Sequence, residues 1–462
     1  MKCASVFVFL LSLSLASHSA AMTLYSGEME LVAVSGGGCA EKDKPGTRIP
    51  LVLTLEQVGD SNGRQITGYF SGPEIQTGRF SGDDLGRLQL VYPDEAKLNQ
   101  GNNILELSIG VLGVDGELRE KPQSDFEECY FEKAVLKLKQ EAAGDKAESV
   151  FARQSNLFSA EAHFASGHAL LKADKPEEAI ADFTKSLNLR SMVDPNDPDR
   201  AVPAVSLALA QIMAGREAKA EAVLRDLLGT KTETGDEPLK RRTVASVSLC
   251  NEEQFLESDA GRKASRQLMD IVARTFGSLE GVAVPLSACY CEMAKEQREQ
   301  DDPDLAIEYF KKALKLNPDN PDIVTGVAMS FVDKEAPAEG RKYLDEHKEH
   351  FIKRSGKEPY DALLSYLYAA EAQQEASDGD LSRAVDLLRE AVKAEPGDRS
   401  LMIELTRVLG KKGKTAEARK LLEGGRKDCR DESCRREFAD EIARQEMIER
   451  MVKRLETRSR VQ

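Results

Sequence analysis

The chain has 462 residues, 41% of them hydrophobic and 31% charged, and its formal net charge is −15. That length exceeds what one ordinary hydrophobic core organises, so two or more structural units are expected. The acid excess argues against any general affinity for nucleic acid or for an anionic lipid surface.

Residues 1–21 have the order of a secretory signal. Lys2 supplies the charged start, Ala4 to Ala16 an uncharged apolar run, and Ser19-Ala20-Ala21 a small-residue cleavage site. The run is shorter than the roughly 20 residues a membrane-spanning helix needs. The sequence therefore predicts an exported chain, periplasmic or extracellular, with no transmembrane span once the signal is cleaved. Seven cysteines remain after residue 21: Cys39, Cys129, Cys250, Cys289, Cys291, Cys429 and Cys434. An exported chain can oxidise them, and an odd count leaves at least one without an intramolecular partner.

Residues 22–140 alternate apolar and polar positions. Ile49, Leu51, Leu53 and Leu55 form one such run, Leu88, Leu90 and Tyr92 a second, Leu105, Leu107 and Ile109 a third, and Ala134, Leu136 and Leu138 a fourth. Period two marks strands with one buried face. Breaks at Gly59–Gly63, Gly82-Asp83-Asp84 and Asp115-Gly116 read as hairpin turns. The hexapeptide starting at Thr67 (T-G-Y-F-S-G) recurs at Thr77 (T-G-R-F-S-G), one strand and one turn later. About eight strands follow, in an all-β antiparallel meander closed as a barrel or folded as a sandwich. In a closed meander the first and last strands are neighbours, so Cys39 and Cys129 are a disulfide candidate; two unrelated thiols are the alternative. The interior is either packed by its own side chains or open at the mouth to a small molecule or glycan.

Residues 141–159 shift towards Ala, Glu and Lys and read as a linker. Beyond them a second architecture begins. In Ala306-Ile-Glu-Tyr-Phe310, with Ala313 and Pro318, a small residue, an aromatic and another small residue share one helix face, and a proline stops the helix. Ala179-Ile-Ala-Asp-Phe183 repeats the pattern, as do Ala384-Val-Asp-Leu-Leu388 and Ala418-Arg-Lys-Leu-Leu422. A small residue stands twelve positions before the anchor at Gly167, Ala208, Ala294, Ala328 and Ala372. Seven helical hairpins result, beginning near 160, 201, 245, 287, 321, 365 and 399. The steps 287→321 and 365→399 are 34 residues long. This pattern resembles the tetratricopeptide repeat, whose signature includes A-x3-F followed by proline. The copies at 245 and 321 depart from it at Glu252 and Gly340, and the chain has no Trp.

The resemblance implies an all-α right-handed solenoid over 160–430, because one hairpin buries its apolar face only by stacking on the next. A capping helix over 431–462 closes it, with an apolar stripe of Phe438, Ile442, Met447, Ile448 and Met451. Cys429 and Cys434 flank a short turn and are the second disulfide candidate, while Cys250 can pair with Cys289 or Cys291. The resemblance also implies a binding groove along the first helix of each hairpin. It falls on Phe164 and His168, then Val202, Val205, Leu209, Ile212 and Met213, then Ile403, Arg407 and Lys411. Such a groove is a peptide seat, or is itself covered by the barrel or by tight winding. No catalytic, metal or cofactor motif occurs. The expectation is a scaffold, not an enzyme, that binds a protein or peptide partner in an envelope or secretion assembly. The alternative is a small-molecule or glycan carrier whose repeats only dock it.

Overall fold

A computed structural model describes residues 21–35, 45–60, 63–72, 75–83, 85, 87–93, 103–110, 113–119, 130–255 and 258–459. Apart from Ala21, the expected signal lies outside these residues, and so do Cys39 and Cys129. The chain divides into two compact units, Met1–Arg274 and Thr275–Gln462.

The first unit opens with eight antiparallel strands among the described residues. They are β1 (Ala21–Ser35), β2 (Arg48–Asp60), β3 (Gly63–Gly72), β4 (Ile75–Gly82), β5 (Leu88–Val91), β6 (Asn103–Gly110), β7 (Gly113–Arg119) and β8 (Tyr130–Ala143). Each pairs with the next, and β8 returns to β1, so the sheet closes as an up-and-down barrel. Closure leaves no edge strand to aggregate. The alternating residues point inward as their period requires. Met29, Leu31, Leu51, Leu53, Leu55, Phe70, Phe80, Leu90, Leu107 and Leu136 all pack into one buried apolar core. Asp115-Gly116 is not a turn. It lies inside β7, opposite Ser108 and Leu107, and the reversal comes earlier, where Gly110 pairs with Gly113. A glycine is needed at 116 because the Leu107 side chain fills the space above it; a Cβ there would stand 2.8 Å from Leu107 Cδ2.

The stretch expected as a linker is instead ordered structure. It comprises the end of β8 and the first half of α1 (Asp145–Lys172). This helix runs along the outer wall of the barrel. Its Phe151 and Phe158 pack with Tyr69 and Val91. Its buried Gln154 donates to Ser71 Oγ at 2.8 Å and to the Val52 carbonyl at 3.2 Å, and accepts from Thr54 Oγ1 at 2.5 Å. Gly144, with φ +66°, turns the chain between β8 and α1, and the rest of 141–159 is regular because its apolar and amide positions meet a sheet face, which composition does not reveal.

The unit continues with α2 (Pro176–Val193), a 3₁₀ turn (Pro198–Arg200), α3 (Ala201–Met213), α4 (Glu217–Leu228), α5 (Asp236–Phe255) and α6 (Asp259–Phe276), whose last two residues fall past the unit's boundary. The second unit contains α7 (Ala283–Glu299), α8 (Pro303–Leu316), α9 (Pro321–Asp333), α10 (Pro337–Glu346), α11 (Lys348–Ser355), α12 (Lys357–Ser377), α13 (Leu381–Ala394), α14 (Arg399–Lys411), α15 (Thr415–Asp428) and α16 (Glu432–Ser459). Helix starts follow capping chemistry. The Asp302 carboxylate accepts from the Leu305 N–H at 3.1 Å, with Pro303 as the first helical residue of α8. Asn320 and Pro321 do the same for α9, its side chain accepting from the Asp322 N–H at 3.0 Å. Ala306, Phe310 and Ala313 of α8 are all buried, as their recurrence demands.

The seven expected hairpins correspond to the helix pairs from α1/α2 to α14/α15, with the short α11 inserted after α10. The closing helix, α16, is held by Phe438, which packs with Ile403, Leu422, Cys429 and Cys434. Cys429 and Cys434 are disulfide-bonded, their Cα atoms 5.6 Å apart. No helix of the described residues is long and apolar enough to cross a membrane.

Candidate functional site

The helices α1, α3 and α5, the first members of three successive hairpins, line an open cavity of about 550 Å³. Along α1, Phe164, His168 and Lys172 recur at four-residue spacing, with Ala165 and Ala169 beside them, so one helix face lines the cavity. Val202 comes from α3, and Ser248, Asn251 and Glu252 from α5. The wall is apolar over Phe164, Ala165, Ala169 and Val202. Phe164 is fixed from behind by Phe183 of α2, ring centroids 5.8 Å apart, and stands edge-on to His168 at 4.4 Å.

The polar end is a buried cluster. The Ser206 hydroxyl of α3 donates to Glu252 Oε1 and lies 3.3 Å from His168 Nε2. His168 Nε2 is 3.5 Å from the same Glu252 oxygen, and the two side chains are only 12% and 4% exposed. Burial pushes the Glu252 carboxyl up to about 7, although the Ser206 hydrogen bond pulls the other way. Burial also draws the His168 imidazole down to about 4, helped by the positive charge of Lys172. Low dielectric disfavours the charged form of each, so the Glu252 carboxylate is desolvated and His168 does not offset it as a cation. The second oxygen, Oε2, is buried and has no hydrogen-bond partner among the described residues. A buried acceptor without a donor carries an uncompensated desolvation cost.

A second cavity, of about 730 Å³, lies in the other unit between α12, α14, α15 and α16. Its lining is mixed, with Ala376, Val408 and Ile448 beside Gln373, Glu404, Arg407, Lys411, Glu441 and Arg444. Arg407 Nε and Nη2 both donate to Glu441 Oε2, at 3.0 and 2.8 Å. Burial raises the Glu404 carboxyl, against the pull of Arg407 and Lys411.

Three segments match models of the tetratricopeptide repeat: residues 160–191, 287–320 and 375–433. These three segments carry tetratricopeptide repeats within the helical part of the chain. The matches fall on the copies at 160 and 287 and on the pair at 365 and 399. No curated protein matches the chain. Similar solved structures include a tetratricopeptide-repeat protein of Cytophaga hutchinsonii, 14% identical over 59% of this chain and 97% of that one, with a TM-score of 0.27. PilF of Pseudomonas aeruginosa is 17% identical over 53% and 95%, with a TM-score of 0.21. The TPR2AB domain of yeast Sti1, solved in its pHSP90 complex, is 15% identical over 62% and 98%, with a TM-score of 0.20.

Within these helices the residues expected to line the groove separate into two groups. Phe164, His168 and Val202 line the first cavity, and Arg407 and Lys411 line the second. Val205, Leu209 and Ile212 do not face an accessible groove. They are buried with the rest of α3, of which eleven of thirteen residues are buried. The α3 sequence is apolar on every side, so periodicity had no polar face by which to orient it. Met213 is half-buried at the helix end. Ile403 is also buried, packed on Phe438 of α16.

Sequence reasoning passed over Ser206, Ser248, Asn251 and Glu252. The signal was present at Glu252, which stands twelve residues before Ala264, where five of the other six copies carry Gly or Ala and the last carries Thr406. A carboxylate in a position built for a small residue points to a polar contact across helices, here with Ser206. Among the remaining cysteines, Cys250 and Cys289 are each oxidised to a disulfide, and Cys291 is a free thiol. Burial pushes the Cys291 thiol up to about 11.

Proposed function

We propose that this protein is an exported scaffold that works by binding, and that it holds a protein or peptide partner against α1, α3 and α5. The observation that carries this reading is the first cavity. It is open, largely apolar, and built from the first helices of three successive tetratricopeptide hairpins, with a small buried polar cluster at one end. Such a combination suits a peptide side chain and its flanking backbone. Export is supported by the charged, apolar and small-residue order of residues 1–21 and by the oxidised state of Cys250, Cys289, Cys429 and Cys434. A place in an envelope or secretion assembly follows from an exported chain whose recognisable equipment is for holding other proteins.

The carrier alternative needs a hollow β domain with polar groups inside. The described interior is instead filled by leucine, isoleucine and aromatic side chains.

The reading is tested in cells. A photo-crosslinking amino acid replaces Ala165 or Asn251, and a control carries it at the exposed Lys219 on α4. Crosslinked species specific to the groove positions are expected, together with a mature chain lacking the first 21 residues outside the cytoplasm. Identical patterns from groove and control positions would overturn the binding site. A full-length chain retained inside the cell would overturn export.

A further inference from the structure

We infer that the groove between α1, α3 and α5 selects a basic side chain, an arginine or lysine of the partner, whose charged head pairs with Glu252 while its methylene stem lies on Phe164 and Val202. This deepens the peptide-binding reading above and rests on it. Glu252 is 4% exposed, lines the cavity, and holds one oxygen in a hydrogen bond from Ser206. Its other oxygen is buried with no donor among the described residues. A ligand that brings N–H donors to that oxygen removes the cost of leaving it bare.

Four features favour a cationic donor over a neutral one. A charge-assisted hydrogen bond to a desolvated carboxylate is about twice as strong as a neutral one. Arginine and lysine carry three or four methylenes before the charge, and Phe164, Ala165, Ala169 and Val202 offer apolar surface for that stem. The Phe164 ring also presents π-density to a passing cation. At long range, a chain of net charge −15 draws a basic segment towards it.

Lys172 stands one turn beyond His168 on α1, on the exposed part of the lining. Its charge disfavours a small free cation and suits a peptide, whose backbone carbonyls Lys172 can engage while the side chain runs inward. His168 is held neutral by burial, so it does not compete with the incoming cation for Glu252.

The test uses the full-length mature protein and fluorescent pentapeptide libraries with a fixed central residue, read by fluorescence anisotropy. The centres are arginine, lysine, citrulline, norleucine and glutamate. Citrulline keeps the shape of arginine and about three of its five N–H donors, with a carbonyl oxygen in place of one nitrogen and no charge. Arginine and lysine libraries are expected to bind at least tenfold tighter than citrulline or norleucine, with glutamate weakest. Glu252→Gln, which keeps the Ser206 contact, should erase the advantage. If that variant does not fold, the arginine-to-citrulline ratio on the wild-type protein still decides. Equal binding of arginine and citrulline, an advantage that survives Glu252→Gln, or no binding by any library would each overturn the inference. Groove-specific crosslinks in cells without a basic preference in vitro would leave the binding site standing and remove only its selectivity for a cation. Absence of both would remove the site itself.

Discussion

Gly68 of β3 and Phe80 of β4 face each other across the ladder, and the Phe80 ring occupies the space a side chain at 68 would need. A Cβ on residue 68 would stand 2.2 Å from the ring and 2.2 Å from the Thr54 carbonyl oxygen. The relationship is reciprocal. Phe70 pairs with Gly78, where a Cβ would stand 2.4 Å from the Phe70 ring. The repeated T-G-x-F-S-G hexapeptide thereby acquires a reason. Antiparallel pairing sets the glycine of each copy against the phenylalanine of the other. Gly68→Ala should cost about 1–3 kcal/mol of barrel stability, since backbone on one side prevents the ring from simply swinging away. Gly68→Ala/Phe80→Leu should recover part of that loss. Urea denaturation of the two variants checks the order.

Gln154 ties α1 to the barrel through three polar contacts in a buried place. Gln154→Leu keeps the volume but leaves the Thr54 hydroxyl, which is fully buried, without its acceptor. A loss of about 1–3 kcal/mol is expected. The triple variant Gln154→Leu/Thr54→Val/Ser71→Ala should be more stable than the single one, because the stranded hydroxyls go too. Chemical denaturation of the set measures this, and a neutral Gln154→Leu would show that α1 is held by Phe151 and Phe158 alone.

Architecture was legible in the sequence wherever periodicity was clean. The leucines at 51, 53 and 55 announced a strand with one buried face, and Ala306, Phe310 and Ala313 announced a packed helix. Orientation failed where nearly every position was apolar, as in α3, because a buried stripe does not stand out from the rest of such a helix. The linker reading failed at 141–159 because the face of α1 that meets the barrel is part aromatic and part amide, not a regular apolar stripe. The candidate site was half legible. Phe164 and His168 followed from their position on a first helix. Glu252 did not, because its role depends on Ser206 and His168, 46 and 84 residues earlier, a proximity that only the superposition of three hairpins creates.

Glu252 and His168 should tilt the pH dependence of stability in opposite directions. The Glu252 carboxyl, raised from 4.5 to about 7 in the fold, keeps a proton that the unfolded chain has released. Its contribution therefore falls as pH rises through that window. The His168 imidazole, lowered from 6.5 to about 4, refuses a proton that the unfolded chain has taken up. Its contribution falls as pH drops from 6.5. Between about 4.5 and 6.5 the two slopes oppose, each at roughly 1.4 kcal/mol per pH unit at most. Relative to wild type, Glu252→Gln should lose stability more steeply on acidification, and His168→Gln more steeply on raising the pH towards 7. Denaturation midpoints at pH 5, 6 and 7 decide it; parallel curves for all three proteins would show that the pair does not titrate in this range.

Arg407 and Glu441 join α14 to the closing helix, and the two ends of that bond are unequal. Glu441 is 5% exposed, whereas half of the Arg407 side chain reaches solvent. Arg444 also stands near the Glu441 carboxylate, at 3.8 Å. Removing the arginine leaves a buried carboxylate with one distant counter-charge, while removing the carboxylate leaves a guanidinium that water can reach. Arg407→Met should therefore destabilise the protein by about 1–3 kcal/mol and Glu441→Gln by less. Solvent screening of Arg407 keeps both below the cost of a fully buried pair. Glu441→Leu/Arg407→Met, which takes away both charges, should lie closer to wild type than Arg407→Met alone. Hydrogen exchange along α16 gives a local reading of the same order. If Arg407→Met leaves exchange in α16 unchanged, the helix is held by Phe438 and the Cys429–Cys434 bridge without help from the ion pair.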